Sequence, residues 1–320
     1  MGKYDVAALG ELLIDFTQNG FSAQGNPIFE ANPGGAPCNV LAMLQKLGRK
    51  TVFIGKVGRD GFGYQLEAAL KETGIATEGL RFDETVHTTL AVVQKKPDGD
   101  RDFSFYRKPG ADVMLGAEEV REDLIRDARI FHFGSLSLTD EPARTATRRA
   151  VEIAEEAGVW ISFDPNLRKP LWRDEALARE QIRYGLRHCH ILKISDDELE
   201  WLTGEPDQRK AMAELRAEFP IPLILLSMGK MGSCAYCGEQ SAQMPPFLNG
   251  RTIETTGAGD TFMGCMLHQI LDRGYEGLSG GELEEMLRFA NAAASIITTR
   301  RGALRVMPEK EEIYTLVKNM

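Results

Sequence analysis

The segment Thr255-Thr256-Gly257-Ala258-Gly259-Asp260 joins a run of small residues to a carboxylate, immediately before a helical pattern over residues 261–271. Glycine and alanine let an anionic group come close to the backbone, and the free N–H groups of a first helical turn attract negative charge. Asp260 stands beside that predicted anion site, within reach of a group that reacts there. The spacing predicts a phosphate-binding loop with an attached base, while an ordinary helix start with an acidic first turn is the alternative.

Composition places the chain among globular proteins that act on small molecules. Its 320 residues, 43% of them hydrophobic, suffice for one large α/β domain, and we expect a single domain over residues 1–320. The formal net charge is −9, with 38 basic against 47 acidic residues. Extended contact with nucleic acid needs a basic surface, so the sequence predicts no nucleic-acid partner.

The sequence predicts a cytoplasmic protein with no membrane partner. The first residues run directly into an apolar stretch at residues 6–9, without the basic region and long hydrophobic segment of a signal peptide. The longest apolar run, residues 221–226, is far too short to span a bilayer. Five cysteines, an odd number spread over the chain, predict reduced thiols, and the lone pair Cys234 and Cys237 lacks further ligands for a metal.

Short apolar runs alternate with longer helical patterns along most of the chain. Predicted strands cover residues 6–9, 51–54, 130–133, 159–163, 191–194 and 223–226. Predicted helices between them include residues 39–47, 62–72, 141–157 and 208–218. Repeated β-α units of this kind form a mostly parallel sheet covered by helices on both faces. Ligands of such sheets bind beyond the carboxyl ends of the strands, so the polar residues there are the first candidates for a site.

Two segments break the alternation and predict a small sheet that projects from the main domain. Residues 15–33 are polar and turn-rich, and residues 88–107 contain two strand-like runs around the turn signal Pro97-Asp98-Gly99-Asp100. Alternation in the second run puts Phe103, Phe105 and Arg107 on one side. Such a sheet has edges to protect and an apolar face to bury, so it is either a lid over the active site or a dimer contact.

Polar residues at the predicted strand ends complete a family pattern. They are Asp15, Gly34-Gly35-Ala36-Pro37-Cys38-Asn39, Asp164-Pro165-Asn166-Leu167-Arg168 and Lys193-Ile194-Ser195-Asp196-Asp197-Glu198. Essentially the whole chain resembles the ribokinase-like (PfkB) carbohydrate kinases, with residues 34–63 matching the first family signature and residues 255–260 the second. Within the family, residues 106–112, 131–138 and 164–172 are most similar to bacterial fructokinases. The resemblance implies a ribokinase-like α/β fold with a β-sheet lid, and ATP-dependent phosphorylation of a ketohexose, D-fructose to fructose 6-phosphate first of all.

The resemblance assigns the sugar to Asp15, Gly34, Gly35, Asn39, Phe105, Arg107 and Arg168. A neutral polyol offers donors and acceptors, so Asp15 and Asn39 can hold hydroxyls while the glycine pair lets the backbone approach. Phe105 supplies an apolar wall. Taken alone, Asp15 is also compatible with a turn and Asn39 with a helix-surface amide.

Asp260 is then the acceptor of the hydroxyl proton, and the amides of Gly257, Ala258 and Gly259 form the anion hole. The positive end of a helix dipole stabilises a carboxylate, so we expect the pKa of Asp260 to lie below its usual range. Such a group is a weak base near neutrality. In a loose transition state the proton leaves late, and orienting the hydroxyl then matters more than abstracting its proton.

The nucleotide side of the resemblance comprises Lys193, Ser195, Glu198, Ser227, Gly229, Gly232 and Asn291. Glu198 is expected to influence Mg²⁺ through water, because this ion keeps much of its hydration and is bound largely by phosphates. Lys193 stands where ribokinases often carry asparagine, and Ser227 where threonine is common. Many family members are activated by a monovalent cation, which implies a K⁺ site at Glu254 and Thr256 with carbonyls from residues 300–302.

Other substrates and one other class of function remain open. The 2-keto-3-deoxygluconate kinases resemble the chain closely, and Arg107 with Arg168 could grip a carboxylate bidentately. Phe105 speaks against them, because those kinases tend to place a tyrosine there. Ribose or nucleoside kinases and a sugar-binding regulator without turnover are further alternatives. For the assembly, we expect a homodimer through the β-sheet lid.

Overall fold

The computed structural model describes residues 2–95 and 101–319, and the predicted turn Pro97-Asp98-Gly99-Asp100 lies outside the described residues. The strands within the described residues are β1 (Tyr4–Leu9), β2 (Leu13–Phe21), β3 (Pro27–Gly34), β4 (Thr51–Gly58), β5 (Ala76–Asp83), β6 (Leu90–Lys95), β7 (Arg101–Tyr106), β8 (Ala128–Gly134), β9 (Trp160–Asp164), β10 (Ile191–Ser195), β11 (Leu223–Ser227), β12 (Ser233–Cys237) and β13 (Gln240–Met244). The helices are α1 (Ala36–Lys46), α2 (Gly61–Thr73), α3 (Glu122–Arg126), α4 (Ala143–Glu156), α5 (Glu175–His188), α6 (Asp196–Thr203), α7 (Gln208–Glu218), α8 (Ala258–Arg273), α9 (Gly280–Ile297) and α10 (Lys310–Lys318).

The main sheet has nine strands in the order β13-β12-β11-β10-β9-β8-β1-β4-β5. Strand pairs from β11 to β5 are parallel, and β12 and β13 add an antiparallel edge. Strands covered on both faces read as continuous apolar runs, as the sequence Leu-Ile-Leu-Leu of β11 does. The predicted mostly parallel sheet is confirmed.

Alternate side chains of the main sheet enter two separate hydrophobic cores. In β1, Val6 and Ala8 pack with helices α1, α2, α8 and α9, whereas Ala7 and Leu9 pack with α3 to α7 on the opposite face. The prediction of helices on both faces is therefore confirmed. Cys234 and Cys237 of β12 likewise belong to opposite cores, and all five cysteines are unpaired.

Four strands form a second sheet, called here the lid sheet, in the order β3-β2-β6-β7. Strands β2 and β3 are an antiparallel hairpin, β2 and β6 run parallel, and β6 and β7 are antiparallel. Asp15 stands beside Ala91, which in turn stands opposite Phe105. The predicted small sheet is confirmed, with residues 15–33 forming most of its first hairpin. Residues 10–12 join β1 to β2 and so connect the lid sheet to the main sheet.

Pattern reading missed several elements, among them the edge strands β5 and β13. Both carry polar residues at their solvent-accessible positions. They therefore lack the continuous apolar run that identified the central strands. No helix within residues 2–95 and 101–319 is long and apolar enough to span a lipid bilayer.

Candidate active site

A cleft of about 290 Å³ lies between the lid sheet and the carboxyl ends of the main-sheet strands. Of the residues predicted for the site, it is lined by Asp15, Gly35, Asn39, Phe105, Arg168, Lys193, Glu254, Thr256, Gly257, Gly259 and Asp260. These residues come from positions spread over almost the whole chain. The fold therefore brings together most of the predicted sugar residues, the glycine loop and the proposed cation residues at one place.

The glycine loop leads directly into α8. Gly257 is the N-cap with φ 76°, a left-handed conformation, and a Cβ there would lie 2.7 Å from the Cβ of Ala303. Asp260 follows in the first turn of the helix. The amide of Ala258 donates to the carbonyl oxygen of Thr255 at 3.2 Å, so this predicted member of the anion hole already serves a turn within the protein.

Asp260 has an unusually basic carboxylate, contrary to the expectation from its helix start. Burial raises the pKa of Asp260 above its ordinary value, while a hydrogen bond from Asn39 and the charges of Lys193 and Arg168 oppose the rise. Desolvation is the largest of these effects. The expected low pKa is therefore wrong, and the carboxylate is better suited to accept a proton.

Asn39 holds Asp260 directly. It lies in the first turn of α1, is 4% exposed, and its Nδ2 donates to Oδ2 of Asp260 at 2.8 Å. Its Oδ1 is buried and has no hydrogen-bond partner among the described residues. A buried acceptor without a partner is costly, and a ligand hydroxyl in the cleft could donate to it. Asn39 is thus not the helix-surface amide of the alternative interpretation.

Asp15 and Gly34 form a second polar contact point on the lid sheet. A side chain at Gly34 would collide with Oδ2 of Asp15 and would require this carboxylate to move. Burial raises the pKa of Asp15 to about 7, and Arg168 is the charge that opposes the rise. Asp15 belongs to strand β2 and not to a turn, which disfavours the turn interpretation.

Phe105 lines the cleft, but Arg107 does not. Nε of Arg107 donates to Oδ2 of Asp112 at 2.7 Å, Nη1 to Thr139 Oγ1 at 2.8 Å, and Nη2 to the carbonyl oxygen of Leu136 at 2.9 Å. The side chains of Arg107 and Asp112 are each 2% exposed. The sequence placed Arg107 on the sugar, whereas the structure ties it to the protein beneath the lid sheet. Alternation also put Arg107 on the same side as Phe105, but the chain leaves β7 at Tyr106, so the alternation no longer applies at Arg107.

Lys193, predicted for the nucleotide, lines the cleft. Its Nζ lies 3.0 Å from Oδ2 of Asp164, and a Cβ at Gly259 would lie 3.3 Å from the same Nζ. The amine is thus held against the glycine loop. Burial raises the pKa of Asp164 to about 7, an effect that Lys193 opposes.

The other predicted nucleotide residues lie outside the cleft lining. Ser195 and Ser227 are neighbours at the carboxyl ends of β10 and β11, and Gly229 and Gly232 flank the turn after β11. Asn291 differs from them, because its Nδ2 donates to the carbonyl oxygens of Met244 and Pro245 and its Oδ1 accepts from Ser233. These are the contacts of a buried structural amide.

The predicted metal residues have different surroundings. Glu198 accepts one hydrogen bond from Leu167 N at 2.7 Å and one from Ser195 N at 2.9 Å. Glu254 is 8% exposed, and its Oε1 accepts from Gly302 N at 2.8 Å, which joins it to the predicted carbonyl loop. The described residues contain no group of three or more His, Cys, Asp or Glu side chains that could hold a metal. An ion that takes most of its ligands from phosphate and water is compatible with that arrangement.

Two residues were assigned no role from the sequence: Glu11, which lines the cleft, and Asp164, which pairs with Lys193. Arg301, from the predicted loop at residues 300–302, also lines the cleft. Glu11 is 4% exposed and accepts from Ala36 N at 2.9 Å, and Arg301 contacts Asn19 of the lid sheet. Asp164 stood in a quoted strand-end motif, so its position was a usable signal. Glu11 had no such signal, since its importance depends on a partner far along the chain.

Known proteins resemble this chain over nearly its full length. A family model described as pfkB family carbohydrate kinase matches residues 3–310. The fructokinase of Solanum tuberosum is 42% identical over 317 residues, which cover 98% of this chain and 95% of that protein. The structure of fructokinase with bound ATP from Xylella fastidiosa superimposes with a TM-score of 0.89 at 30% identity, covering 98% of each chain.

A double mutant of the fructokinase from Vibrio cholerae O395, in its fructose-, ADP- and potassium-bound form, gives a TM-score of 0.87 at 26% identity, covering 99% of both chains. The family match and the full-length relatives agree with the cleft geometry, in which a glycine loop, a buried carboxylate and polar sugar residues converge. This chain belongs to the pfkB family of carbohydrate kinases, and it is a sugar kinase.

Proposed function

We propose that this protein transfers the γ-phosphoryl group of ATP to a hydroxyl of D-fructose, forming fructose 6-phosphate and ADP. The observation that carries the proposal is the contact between Asn39 and Asp260 in a cleft that Asp15 shares with the glycine loop. The relatives reported above include a fructokinase with bound ATP and one with fructose and ADP, which supports this pair of substrates.

In the proposed reaction, the sugar hydroxyl donates toward Asp260 while its oxygen attacks the γ-phosphorus. One O–P bond forms, the bond from the γ-phosphorus to the bridging oxygen breaks, and the hydroxyl proton passes to Asp260. Asn39 holds the carboxylate in place, and Lys193 and the amides of Gly257 and Gly259 offset the phosphoryl charge. A raised pKa helps Asp260 in this role, because a stronger base accepts the proton more readily.

Phe105 and Asp15 bring the lid sheet to the sugar in this proposal. Both belong to one small sheet and line the cleft from the side opposite the glycine loop. Sugar binding would draw this sheet onto the main domain and exclude water, which would otherwise compete as the phosphoryl acceptor. Amide hydrogen exchange of β2 and β6 with and without fructose tests this, and unchanged protection while fructose binds would contradict it.

For the nucleotide, we propose binding along the carboxyl ends of β10 and β11, through Ser195, Ser227, Gly229 and Gly232, with Lys193 at the phosphates. Mg²⁺, when bound to the phosphates, neutralises charge and polarises the transferring group. Glu198 would act on it through water, and Glu254 and Thr256 would belong to a K⁺ site next to the glycine loop. The contact from Glu254 to Gly302 N supports the K⁺ proposal, because it joins the two parts that such a site requires.

The burial of Arg107 favours fructose over a sugar acid. A bidentate grip on a carboxylate by Arg107 and Arg168 needs both guanidinium groups in the cleft. Arg107 is instead paired with Asp112 and does not line the cleft, so this bidentate grip would lack one of its two guanidinium groups. A neutral ketohexose needs no second cation.

Parallel turnover assays test the substrate. ADP release is measured with fructose, ribose, 2-keto-3-deoxygluconate and nucleosides, and the phosphorylated product is identified by ³¹P NMR. We expect the highest kcat/KM for fructose, with phosphate on the C6 oxygen. Faster turnover of 2-keto-3-deoxygluconate would contradict the substrate, and sugar binding without ADP release would indicate a regulator.

We also propose that the lid sheet forms a homodimer and that the reaction takes place in the cytoplasm, where ATP is available. Phe21 and Ile28 of the lid sheet are 67% and 47% exposed, a large apolar exposure for one small sheet. Sedimentation of Phe21→Ser should show a shift from dimer to monomer, whereas Tyr314→Ser on α10 should not. A monomeric wild-type protein would contradict the dimer, and cell fractionation tests the location.

A further inference from the structure

We infer that Glu11 is a positioning residue for phosphoryl transfer, which fixes the N-terminus of α1 and, through Asn39, the orientation of Asp260. The sequence pattern assigned it no role, and it takes no part in the chemistry proposed above. The inference rests on the proposed function, since the orientation of Asp260 matters only if this carboxylate receives a substrate proton.

Glu11 lies in the segment of residues 10–12, where the chain passes from the main sheet into the lid sheet. Its side chain is 4% exposed and lines the cleft, and Oε1 accepts from Ala36 N at 2.9 Å. A side chain at Gly35 would collide with the carbonyl oxygen of Glu11. The segment thus touches the start of α1 through both its backbone and its carboxylate.

Helix α1 needs this carboxylate because it has no cap of its own. Its N-cap residue is Gly35, which makes no side-chain hydrogen bond, and its first turn contains no acidic residue. The first N–H groups of a helix lack internal partners, and a negative charge near them is stabilising. Glu11 supplies the acceptor from a distant part of the chain.

The same turn of α1 carries the residue that contacts the proposed base. Asn39 N donates to Gly35 O at 3.0 Å, the first helical hydrogen bond, and Asn39 Nδ2 reaches Asp260 at 2.8 Å. A displacement of the helix start therefore moves the side chain that orients Asp260. Misplacement of reacting groups by roughly 1 Å can lower the rate by about a hundredfold.

A purely structural cap would affect stability alone, so the test must measure a quantity that depends on the orientation of Asp260. Glu11→Met removes the acceptor at similar length, and Glu11→Gln retains an acceptor for Ala36 N. We expect Glu11→Met to lower kcat by roughly tenfold or more, with a smaller change in KM for ATP, and Glu11→Gln to recover most of the loss. Thermal unfolding of each variant identifies general damage to the fold.

A double-mutant cycle with Asn39→Leu shows whether Glu11 acts through Asn39. If it does, Glu11→Met should lower kcat by less than about threefold in the Asn39→Leu background. The pH dependence of kcat/KM is a second readout. Because the Asn39 bond lowers the pKa of Asp260, Glu11→Met should move the acid limb to higher pH, as Asn39→Leu does.

Other charged groups lie around the carboxylates of Glu11 and Asp260. The wild type and the variants share these groups. Asp260 interacts electrostatically with four of them, namely Lys193, Arg168, Asp15 and Asp164. Asp112 and Arg107 face Glu11. A difference in the acid limb between the variants therefore comes from the substitution and not from these surrounding groups.

Independent, multiplicative effects of Glu11→Met and Asn39→Leu would overturn the inference, as would an unchanged kcat in folded Glu11→Met. If Glu11→Met does not fold, Glu11→Asp replaces it, since its carboxylate is one methylene shorter. Wild-type kcat in Glu11→Asp would then overturn the inference, and a reduced kcat at unchanged unfolding temperature would support it. A wild-type enzyme that phosphorylates no sugar contradicts the proposed function itself, and the role of Glu11 falls with it.

Discussion

Nζ of Lys193 lies 3.0 Å from Oδ2 of Asp164, and the two side chains are only 8% and 4% exposed. The pair joins neighbouring strands β10 and β9 at their carboxyl ends. The same amine lies against Gly259 of the glycine loop. Carboxylates surround it, because Glu198 and Asp260 act on Lys193 together with Asp164 and hold its pKa above the ordinary value against the effect of burial. A fixed cation thus lies against the glycine loop, where the proposed reaction places the phosphoryl oxygens.

Lys193→Met should lower kcat by roughly a hundredfold to a thousandfold, the usual effect of removing a preorganised charge at a transition state. We expect KM for fructose to change much less, because the amine faces the phosphoryl group. Steady-state kinetics with varied ATP and varied fructose measure both. Lys71→Met, on the exposed surface of α2, is the control. A change in KM for ATP alone would mean that Lys193 serves affinity and not the chemical step.

Asp260→Asn should retain the fold and nucleotide binding while kcat falls by roughly two or more decades, the scale of a positioned acid–base group. The amide keeps the shape of the side chain but cannot accept the proton. Kinetics with fructose, together with calorimetric titration of ATP, separate the two effects. Asp197→Asn, on an exposed part of α6, should keep normal activity. Nearly full activity of Asp260→Asn would exclude the assigned role.

Activity should fall as the pH drops through the pKa of Asp260, since the protonated carboxyl cannot accept the hydroxyl proton. Burial raises that pKa, and the hydrogen bond from Asn39 lowers it. Asn39→Leu removes the bond and keeps the site apolar, so the pKa should rise and the acid limb of kcat/KM should move to higher pH. Profiles between about pH 5 and pH 9 measure the shift. A limb that stays in place or moves to lower pH would contradict the contact.

Arg107→Met should destabilise the protein by about 3–5 kcal/mol, because it leaves Asp112 buried without its charge partner. Urea unfolding measures the change in the free energy of unfolding. The double variant Arg107→Met with Asp112→Leu should recover a large part of the loss, since it removes both charges. The ratio of kcat/KM for fructose to that for 2-keto-3-deoxygluconate should stay near the wild-type value. A selective gain in kcat/KM for either sugar would indicate that Arg107 contacts the substrate.

The free energy of unfolding of Glu11→Gln should increase relative to that of the wild type as the pH rises from about 5 to 8. Burial raises the pKa of Glu11 to about 7, so between its unfolded value of 4.5 and 7 the folded state binds the extra proton. Stability from this group is therefore full below the unfolded pKa and is lost as the pH rises through that window, by at most about 1.4 kcal/mol for each pH unit. The difference in urea midpoints between the two proteins isolates Glu11 from Asp15 and Asp164. A pH-independent difference would contradict the raised pKa.

The sequence by itself determined the features that depend on neighbouring residues. The apolar runs predicted the parallel sheet, since a strand covered on both faces must be apolar throughout. The segment at residues 255–260 predicted a glycine loop ahead of a helix, and the structure places it in the cleft with Asp15 and Asn39. The two segments that interrupt the β-α alternation predicted the second sheet, because their turn signals are local.

Tertiary structure decided the features that depend on burial and on distant partners. The local helix start predicted a low pKa for Asp260, and desolvation by residues far along the chain reversed it. The resemblance assigned Arg107 to the sugar, but the chain leaves β7 one residue earlier and the guanidinium of Arg107 pairs with Asp112. The contact between Glu11 and Ala36 was also not predictable from local pattern, because the strands β2 and β3 separate the two residues in sequence. A charge's solvent access and partners are properties of the folded chain, which is why neither could be obtained from local pattern.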